Sequence, residues 1–404
     1  MTWWRSGPAV DLNILMFCPQ FRPVVGGAER QAEKLARVLV AQGCQVTILT
    51  PRTDPDSPAV EVSEGVQIER FPLMDLARRW PIPGIALLNI PAILWQVSRA
   101  VRQRLAGHDI LHCHLASLQV AGAAWAARRR GVPVLCKVAT AADRSDLGQI
   151  EMAGVSGRVV AWLLRRWITQ WIATTEAVAE ALQRAEIPAN RIRQIPNGVE
   201  LPDAPSPTRQ EGVARRLLYL GRLSGNANRD VPTVIRAFDR LAEEVPDLEL
   251  ALVGHGDQYQ ATADIVACCR HAARIYMPGL QPPETWLAWA DCFVLPSRLE
   301  GLSNALLEAM AQGLACIAND IPPNREVLAD GAAGVLVPVG DTDSLYQSLR
   351  RMATDPEHYA SMGSAASTRV RARYDLKVIA GQYLAFYEEL LAQPREVTAA
   401  LSGN

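Results

Sequence analysis

The sequence predicts an α/β protein made of two doubly wound domains with parallel sheets, and three observations carry this. The chain opens with an apolar run at 12–18, an amphipathic stretch at 28–42 stopped by Gly43, and a second apolar run at 46–50, which together form a βαβ unit. A second alternation of strand and helix patterns starts at 216. Between the two lies a stretch with three prolines and few apolar residues, the composition of an interdomain linker. At 404 residues, 49% hydrophobic and 21% charged, the chain can fill two cores. The boundaries read as an N-terminal domain at 1–200, a linker at 201–215 and a C-terminal domain at 216–375.

Taken in order, 51–58 is a proline-rich loop and 66–71 a strand. Residues 84–106 are apolar and then basic. Asn89, Pro91 and Gln96 interrupt the run and Arg99, Arg102 and Arg104 follow, so it reads as one or two packed helices rather than a membrane span. Strands follow at 109–114 and 134–138, then a helix at 158–172 carrying tryptophans and arginines, then strands at 172–175 and 193–195. In the second half the strands fall at 217–220, 248–253, 274–277, 292–295, 315–318 and 335–337. Helices fall at 232–244, 259–273, 283–290 and 303–312.

The stretch with most chemistry is 296–325. A short, unbroken apolar run at 292–295 suits a buried parallel strand, and Pro296 and Ser297 stop it. A helix then begins at Ser303 or Asn304, both good N-caps, and ends at Gly313. Its first turn offers free backbone N–H groups and the positive end of the helix dipole to an anion such as a diphosphate. Glu308 lies roughly 6–7 Å further along the axis, the distance from a nucleotide's phosphates to its ribose diol, whose hydroxyls a carboxylate can accept. Glu300 sits on the loop ahead of the helix. Gly26-Gly27 follows the first strand and reads either as close backbone approach to a phosphate or as an ordinary turn.

Several classes are disfavoured. A net charge of −1 gives no general case for nucleic-acid binding, although residues 1–200 hold 23 Lys/Arg against 17 Asp/Glu and the rest 18 against 25. An anionic partner is therefore expected at the first half. The eight cysteines include no CxxC, which suits a reducing compartment and neither zinc nor a disulfide framework. Residues 1–17 lack an uninterrupted apolar signal region, because Asp11 and Asn13 break it. A cytoplasmic protein is expected. The two Asp-x-Asp triplets, Asp54–Asp56 in a proline loop and Asp341–Asp343 at a helix start, read as structural, so no metal is expected.

In their order along the chain, the following motifs resemble the family-four retaining glycosyltransferases of the GT-B fold. They are GGAER at 26–30, HCH at 112–114, IPNGVE at 195–200, GRL at 221–223, LVGHGD at 252–257, PGL at 278–280, PSRLEGLSNALLEAMAQG at 296–313 and NREVLADGAAGVLVPVGD at 324–341. The resemblance implies two facing Rossmann-like domains, the first on the acceptor side, and a C-terminal helix at 376–404 crossing back to the first. It implies a nucleotide-diphosphate sugar as donor substrate and no cofactor besides. Residue by residue, Glu308 would hold the ribose hydroxyls and Glu300 would lie near the donor sugar. Gly301, Leu302, Ser303 and Asn304 would offer N–H groups to the distal phosphate, and Arg222 would neutralise the leaving diphosphate. Gly26 and Gly27 would close over the phosphates, Gly254 would join the donor-binding set, and His114 would point toward the donor sugar or acceptor.

One departure stands out. The family pattern after GRL continues to a lysine that also grips the diphosphate, whereas here GRLSGNANRD puts Ala227 or Asn228 in its place, with Arg229 the nearest cation. Two readings of the chemistry follow. One is an active transferase in which the departing phosphate helps deprotonate the acceptor hydroxyl from the front face. The other is a degenerate relative that binds a nucleotide sugar or a partner without turnover. The expected acceptor is a carbohydrate or lipid-linked precursor. Trp80, Trp95, Trp162, Trp167 and Trp171, with nearby arginines, point either to core packing or to peripheral contact with the inner face of a membrane.

Overall fold

The computed structural model describes residues 11–23, 26–79, 85–140, 146–202, 212–224 and 228–393. Residues 1–10, Trp80, most of the linker, Ala227 and 394–404 of the last helix lie outside the described residues. The chain divides into two compact units. Unit 1 comprises Met1–Thr174, Val178–Pro196 and Ile379–Asn404, and unit 2 comprises Thr175–Ala177 and Asn197–Val378.

Unit 1 runs β1 (Asn13–Phe17), α1 (Gly27–Ala41), β2 (Gln45–Pro51), β3 (Val60–Ser63), β4 (Val66–Phe71), α2 (Leu76–Arg79), α3 (Ile85–Arg104) and β5 (Ile110–His114). It continues with α4 (Leu118–Arg128), β6 (Val134–Val138), α5 (Asp146–Met152), α6 (Val155–Trp167), β7 (Gln170–Ala173), α7 (Glu176–Arg184) and β8 (Ile192–Gln194). The eight strands lie in the order β3-β4-β2-β1-β5-β6-β7-β8. Only β3, paired with β4, is antiparallel.

Unit 2 runs β9 (Arg216–Leu220), α8 (Val231–Leu241), β10 (Glu249–Val253), α9 (Tyr259–Ala267), β11 (Ile275–Gly279), α10 (Pro283–Trp289) and β12 (Cys292–Leu295). Next come α11 (Asn304–Ala311), β13 (Ala315–Asn319), α12 (Pro322–Val327), β14 (Val335–Val337), α13 (Thr342–Thr354) and α14 (Pro356–Arg373), after which the chain enters α15 (Leu376–Ala392), which belongs to unit 1 from Ile379. Its six strands, all parallel, lie in the order β11-β10-β9-β12-β13-β14.

The order of strands places the chemistry. Each sheet grows outward in one direction and then restarts on the other side of its first strand, between β1 and β5 in unit 1 and between β9 and β12 in unit 2. In open parallel sheets the loops diverge at such a point and leave a crevice at the carboxyl ends of the strands. The unbroken apolar runs are explained by cores on both faces. Along β12, Cys292 and Val294 enter the core with Phe238 and Leu349, whereas Phe293 and Leu295 enter the core with Leu306 and Tyr374.

In unit 1, Ile14, Met16, Ile110, Leu135 and Ile172 pack against Leu35 and Leu39 of α1 and against Tyr383, Phe386 and Tyr387 of α15. The last helix is therefore part of the core of the N-terminal unit. Near the passage between units, the outgoing and returning segments are hydrogen-bonded, Val199 N–H to Tyr374 O at 2.8 Å and Leu376 N–H to Val199 O at 3.0 Å. They lie so close that a Cβ on Gly198 would be 2.7 Å from the Leu376 Cα.

Some elements differ from the sequence reading. The helix expected at 158–172 ends at Trp167, and Trp171 lies fully buried in β7, so it is core and no part of an outer face. The stretch 84–106 is a single helix, α3, with Pro91 inside it. β3 and α4 were not expected. β3 is a largely exposed edge strand without a buried face, and α4 is apolar almost all round, so neither shows a readable period.

The ends of β9 and β10 are packed backbone to backbone. Gly254 has φ +147, donates to Gly279 O at 2.9 Å, and carries no room for a Cβ, which would lie 1.8 Å from Gly221 O. Gly254→Ala is expected to cost about 2–4 kcal/mol, from backbone strain and overpacking together, measured as a lowered urea midpoint at constant slope.

Candidate active site

The crevice of unit 2 is formed by the loop after β9 and the loop between β12 and α11. α11 starts as expected: Ser303 is its N-cap and its hydroxyl accepts from Leu306 N–H at 3.4 Å. Gly301, Leu302 and Ser303 are buried, and Asn304 is half-buried with its Oδ1 accepting from Asn197 Nδ2 at 2.8 Å. Glu308 is half-buried on α11, one turn beyond the cap.

The two loops are stitched together. Asp230 N–H donates to Pro296 O at 2.8 Å, Arg298 N–H to Asn228 O at 2.9 Å, and Arg229 and Ser297 form an antiparallel bridge. Arg298 pairs with the buried Asp230 at 2.8 Å. This brings Arg229 onto Glu300 at 2.7 Å, where Ser297 Oγ also donates to Glu300 Oε1 at 2.9 Å. Burial pushes the Glu300 carboxyl above its ordinary range, and Arg229 and Ser297 pull it back. Arg222 is different. It is exposed beyond the end of β9, and among the described residues its guanidinium makes no hydrogen bond or ion pair, while its carbonyl accepts from Tyr219 Oη at 2.9 Å.

The expected lysine position falls partly on Ala227, outside the described residues, and on the half-buried Asn228. Arg229 immediately precedes the Asp230 cap of α8. Only three of the 41 basic residues are lysines, so an arginine in a lysine's role follows the chain's general usage. Gly254 serves the close packing of β9 against β10 described above, which accounts for this glycine without a ligand.

In unit 1, Gly26 is the N-cap of α1 and Gly27 its first residue. The Gly26 N–H donates to Glu29 Oε2 at 2.9 Å, so a carboxylate from the same helix already takes one amide at that terminus. Across the switch point, His114 ends β5 and is 3% exposed. Leu115 follows with φ +68, a left-handed conformation that a leucine adopts only when its surroundings impose it. His112 stacks on His114 with ring centroids 4.4 Å apart, and its Nδ1 lies 2.8 Å from Tyr387 Oη. Burial holds both imidazoles below their ordinary range, His112 down to about 3, with Lys137 adding to the effect. Lys137, Tyr383 and Tyr387 were not singled out in the sequence, because only the fold brings β6 and α15 beside β5.

Both Asp-x-Asp triplets have local partners. Asp54 accepts from Asp56 N–H and Ser57 Oγ, and Asp341 caps α13 by accepting from Ser344 N–H. Among the described residues, no group of three or more His, Cys, Asp or Glu side chains is placed to hold a metal ion.

Two doubly wound units, one with a helix N-terminus, acids and a solvent-facing arginine at its switch point, have the architecture of the GT-B glycosyltransferases. Two family models match: "Glycosyl transferase 4-like domain" over 26–198 and "Glycosyl transferases group 1" over 214–355. The chain belongs to the family-four glycosyltransferases and is an enzyme of that class. It is 28% identical over 405 residues to the phosphatidyl-myo-inositol mannosyltransferase of Mycobacterium leprae, covering 96% of this chain and 100% of that one. A GDP-mannose-dependent alpha-mannosyltransferase of Mycobacterium tuberculosis is 26% identical, covering 93% and 96%. The crystal structure of Anabaena HepE with UDP-glucose shares the fold at a TM-score of 0.72, with 18% identity, 94% of this chain and 100% of that chain.

Removing Arg229 leaves a largely buried carboxylate without its cation. Arg229→Ala is expected to destabilise unit 2 by about 1–3 kcal/mol at pH 8. A protonated Glu300 needs no cation, so the difference from wild type should shrink as pH falls through the carboxyl's range. Urea unfolding at pH 8 and pH 5 measures both points.

Proposed function

We propose that the protein is a retaining glycosyltransferase that moves a hexose from a nucleoside diphosphate sugar to an acceptor hydroxyl, without a metal ion. The observation that supports this most is the solvent-facing Arg222, without an ion pair among the described residues, at the unit 2 switch point, where the loop leading into α11 also starts. In such a transfer the anomeric C–O bond to the phosphate breaks, a new C–O bond forms to the acceptor oxygen on the same face, and the acceptor proton passes to the departing phosphate. Negative charge gathers on the diphosphate. Arg222 and the backbone N–H groups of 301–304 would stabilise it, with no reorganisation at the moment of reaction.

Arg229 supplies the second positive charge in place of the family's lysine, shared with Glu300. Glu308 accepts the ribose hydroxyls, and Glu300 faces the donor sugar. In unit 1, His114 is the candidate for the sugar or acceptor, and Gly26 and Gly27 are candidates for phosphate contact, as the family motifs imply. Relatives named for GDP-mannose and a structure with UDP-glucose make these two nucleotides the first probes.

The acceptor reading is a lipid-linked or polysaccharide precursor, met by a cytoplasmic enzyme at the inner face of the membrane. No described helix is long and apolar enough to cross a membrane. Instead α5 and α6 expose Met152, Val155, Val159 and Trp162, each more than half accessible, with Arg158 and Arg166 exposed beside them. Between α3 and α4, Trp95, Arg99, Arg102, Trp125, Arg129 and Arg130 line a cleft of about 400 Å³. Arg99 lies over the Trp95 ring and Arg129 over the Trp125 ring. A surface of tryptophan and arginine with few acids suits the interface of an anionic bilayer.

Release of nucleoside diphosphate from GDP-mannose, UDP-glucose and related sugars tests the transfer. Glu308→Ala is expected to abolish nucleotide-sugar binding by calorimetry, and Glu300→Ala to lower turnover mainly. Equal losses of affinity would contradict that division, and nucleotide binding without release under any acceptor would favour a binding protein. At low salt the protein should sediment with phosphatidylglycerol vesicles and remain in the supernatant with phosphatidylcholine. Trp162→Ala should weaken sedimentation, and equal recovery from both lipids would remove the membrane reading.

A further inference from the structure

The chain has three lysines, and one of them, Lys137, is buried at 6% exposure near the end of β6. In the β5–β6 register Lys137 pairs with His114, so the two side chains share one face of the sheet, and His112, two residues back, shares it too. α15 covers that face. Its Tyr387 hydroxyl meets His112 Nδ1 at 2.8 Å, its Tyr383 ring lies 5.2 Å from His112, and Lys137 Nζ stands 5.8 Å from the Tyr383 ring centre.

This polar cluster is unlike any ordinary core. Among the described residues, His112 Nε2, His114 Nε2 and Tyr383 Oη are buried without a hydrogen-bond partner and Lys137 has no carboxylate partner. A buried lysine with no acid is costly, and it is not how a packing position is normally filled. The cluster lies at the unit 1 switch point, directly under the strained Leu115.

Resting on the role of His114 proposed above, we propose that Tyr387 and Lys137 are positioning residues for His114, one through the stacked His112 and the other across the β5–β6 pairing. The Tyr387–His112 hydrogen bond fixes the lower ring, and stacking transmits its plane to His114. The Lys137 ammonium, beside both rings, disfavours a second positive charge and holds His114 as a neutral imidazole. Such a ring can donate or accept one hydrogen bond with a sugar hydroxyl rather than presenting a charge.

The directions of titration agree. Burial and then His112 and Lys137 hold His114 well below its ordinary range, while burial lowers Lys137 itself to about 7. Among the described residues, Tyr383 and Tyr387 of α15 face the cluster, both pushed up by burial, with Tyr383 and Cys44 adding to the effect on Tyr387. At acidic pH Lys137 is charged, so its effect on His114 is present where His114 would otherwise protonate.

Three variants separate positioning from packing. Tyr387→Phe keeps the ring and removes the hydroxyl, Lys137→Met removes the charge, and Lys137→Arg restores it. With GDP-mannose or UDP-glucose as donor, Tyr387→Phe is expected to lower kcat roughly tenfold with less than about twofold change in KM. Lys137→Met should move the acid limb of kcat/KM up by about one pH unit, with Lys137→Arg returning it. It should also raise the thermal midpoint at neutral pH, because an unpaired buried charge has been removed. Imidazole ¹⁵N–¹H spectra carry the same test without turnover: His114 stays neutral at pH 5 in the wild type and titrates higher in Lys137→Met. Unchanged kcat in Tyr387→Phe, or an unmoved His114 titration in Lys137→Met, would overturn the proposal while His114→Ala is inactive. Full turnover by His114→Ala would instead overturn the role of His114, and the imidazole titration would still decide whether Lys137 acts on it.

Discussion

Strand order is the constraint on which the rest of the molecule depends. Because each parallel sheet is built outward from its first strand in two directions, the loops part once, at β1/β5 and at β9/β12. The residues assigned to donor or acceptor sit on loops, strand ends or helix starts at these two places, and Lys137 on β6 and Tyr387 on α15 reach one of them from neighbouring elements. Buried strands with mostly apolar side chains on both faces leave few polar positions along their length, so the groups that can meet a ligand gather where the strands stop. The glycines at the ends of β9 and β10 serve the same constraint, since the loops turn away in a space that admits no Cβ.

The two switch points handle buried charge in opposite ways. In unit 2, charges are matched: Arg229 with Glu300 and Arg298 with Asp230, while Arg222 faces water without an ion pair among the described residues. In unit 1, nitrogen-bearing side chains gather without acids, and the cost is lessened by neutral forms rather than by ion pairs. A matched pair holds two loops in register and tolerates changes of pH. An unmatched cluster is sensitive to one proton, and such sensitivity is useful beside a reacting centre and a liability elsewhere.

Much of this was legible in the sequence where a local rule decides. The β12–α11 stretch announced itself through an unbroken apolar run, a stop at Pro296, a serine cap and a glycine end, and each feature acts within a few residues of itself. The family motifs named Glu300, Glu308, Arg222 and His114 at positions that the fold then brings to the switch points. What could not be read depends on residues far apart in the chain. The pairing of Arg229 with Glu300 needs two loops 70 residues apart, and the Tyr387–His112 contact spans 275. For Trp171 the composition left core packing and membrane contact open, and only its place in β7 shows that it is core. α4 and β3 escaped because one is apolar on all sides and the other on none.

That α15 completes the core of unit 1 has a consequence for how the chain is made. Its aromatic side chains reach Ile14, Ile110 and Leu135 from the far end of the polypeptide. A ribosome delivers the last strand of unit 1 long before this helix, and at about 5–20 residues per second the interval is roughly 10–40 s. During that time α1 covers only part of one face of the N-terminal sheet, and the histidines and Lys137 that α15 will cover stay open to water. Unit 2, whose strands and α8–α14 are contiguous in the chain, can close first. The nascent N-terminal half is therefore the part with most need of a chaperone, although it is synthesised first.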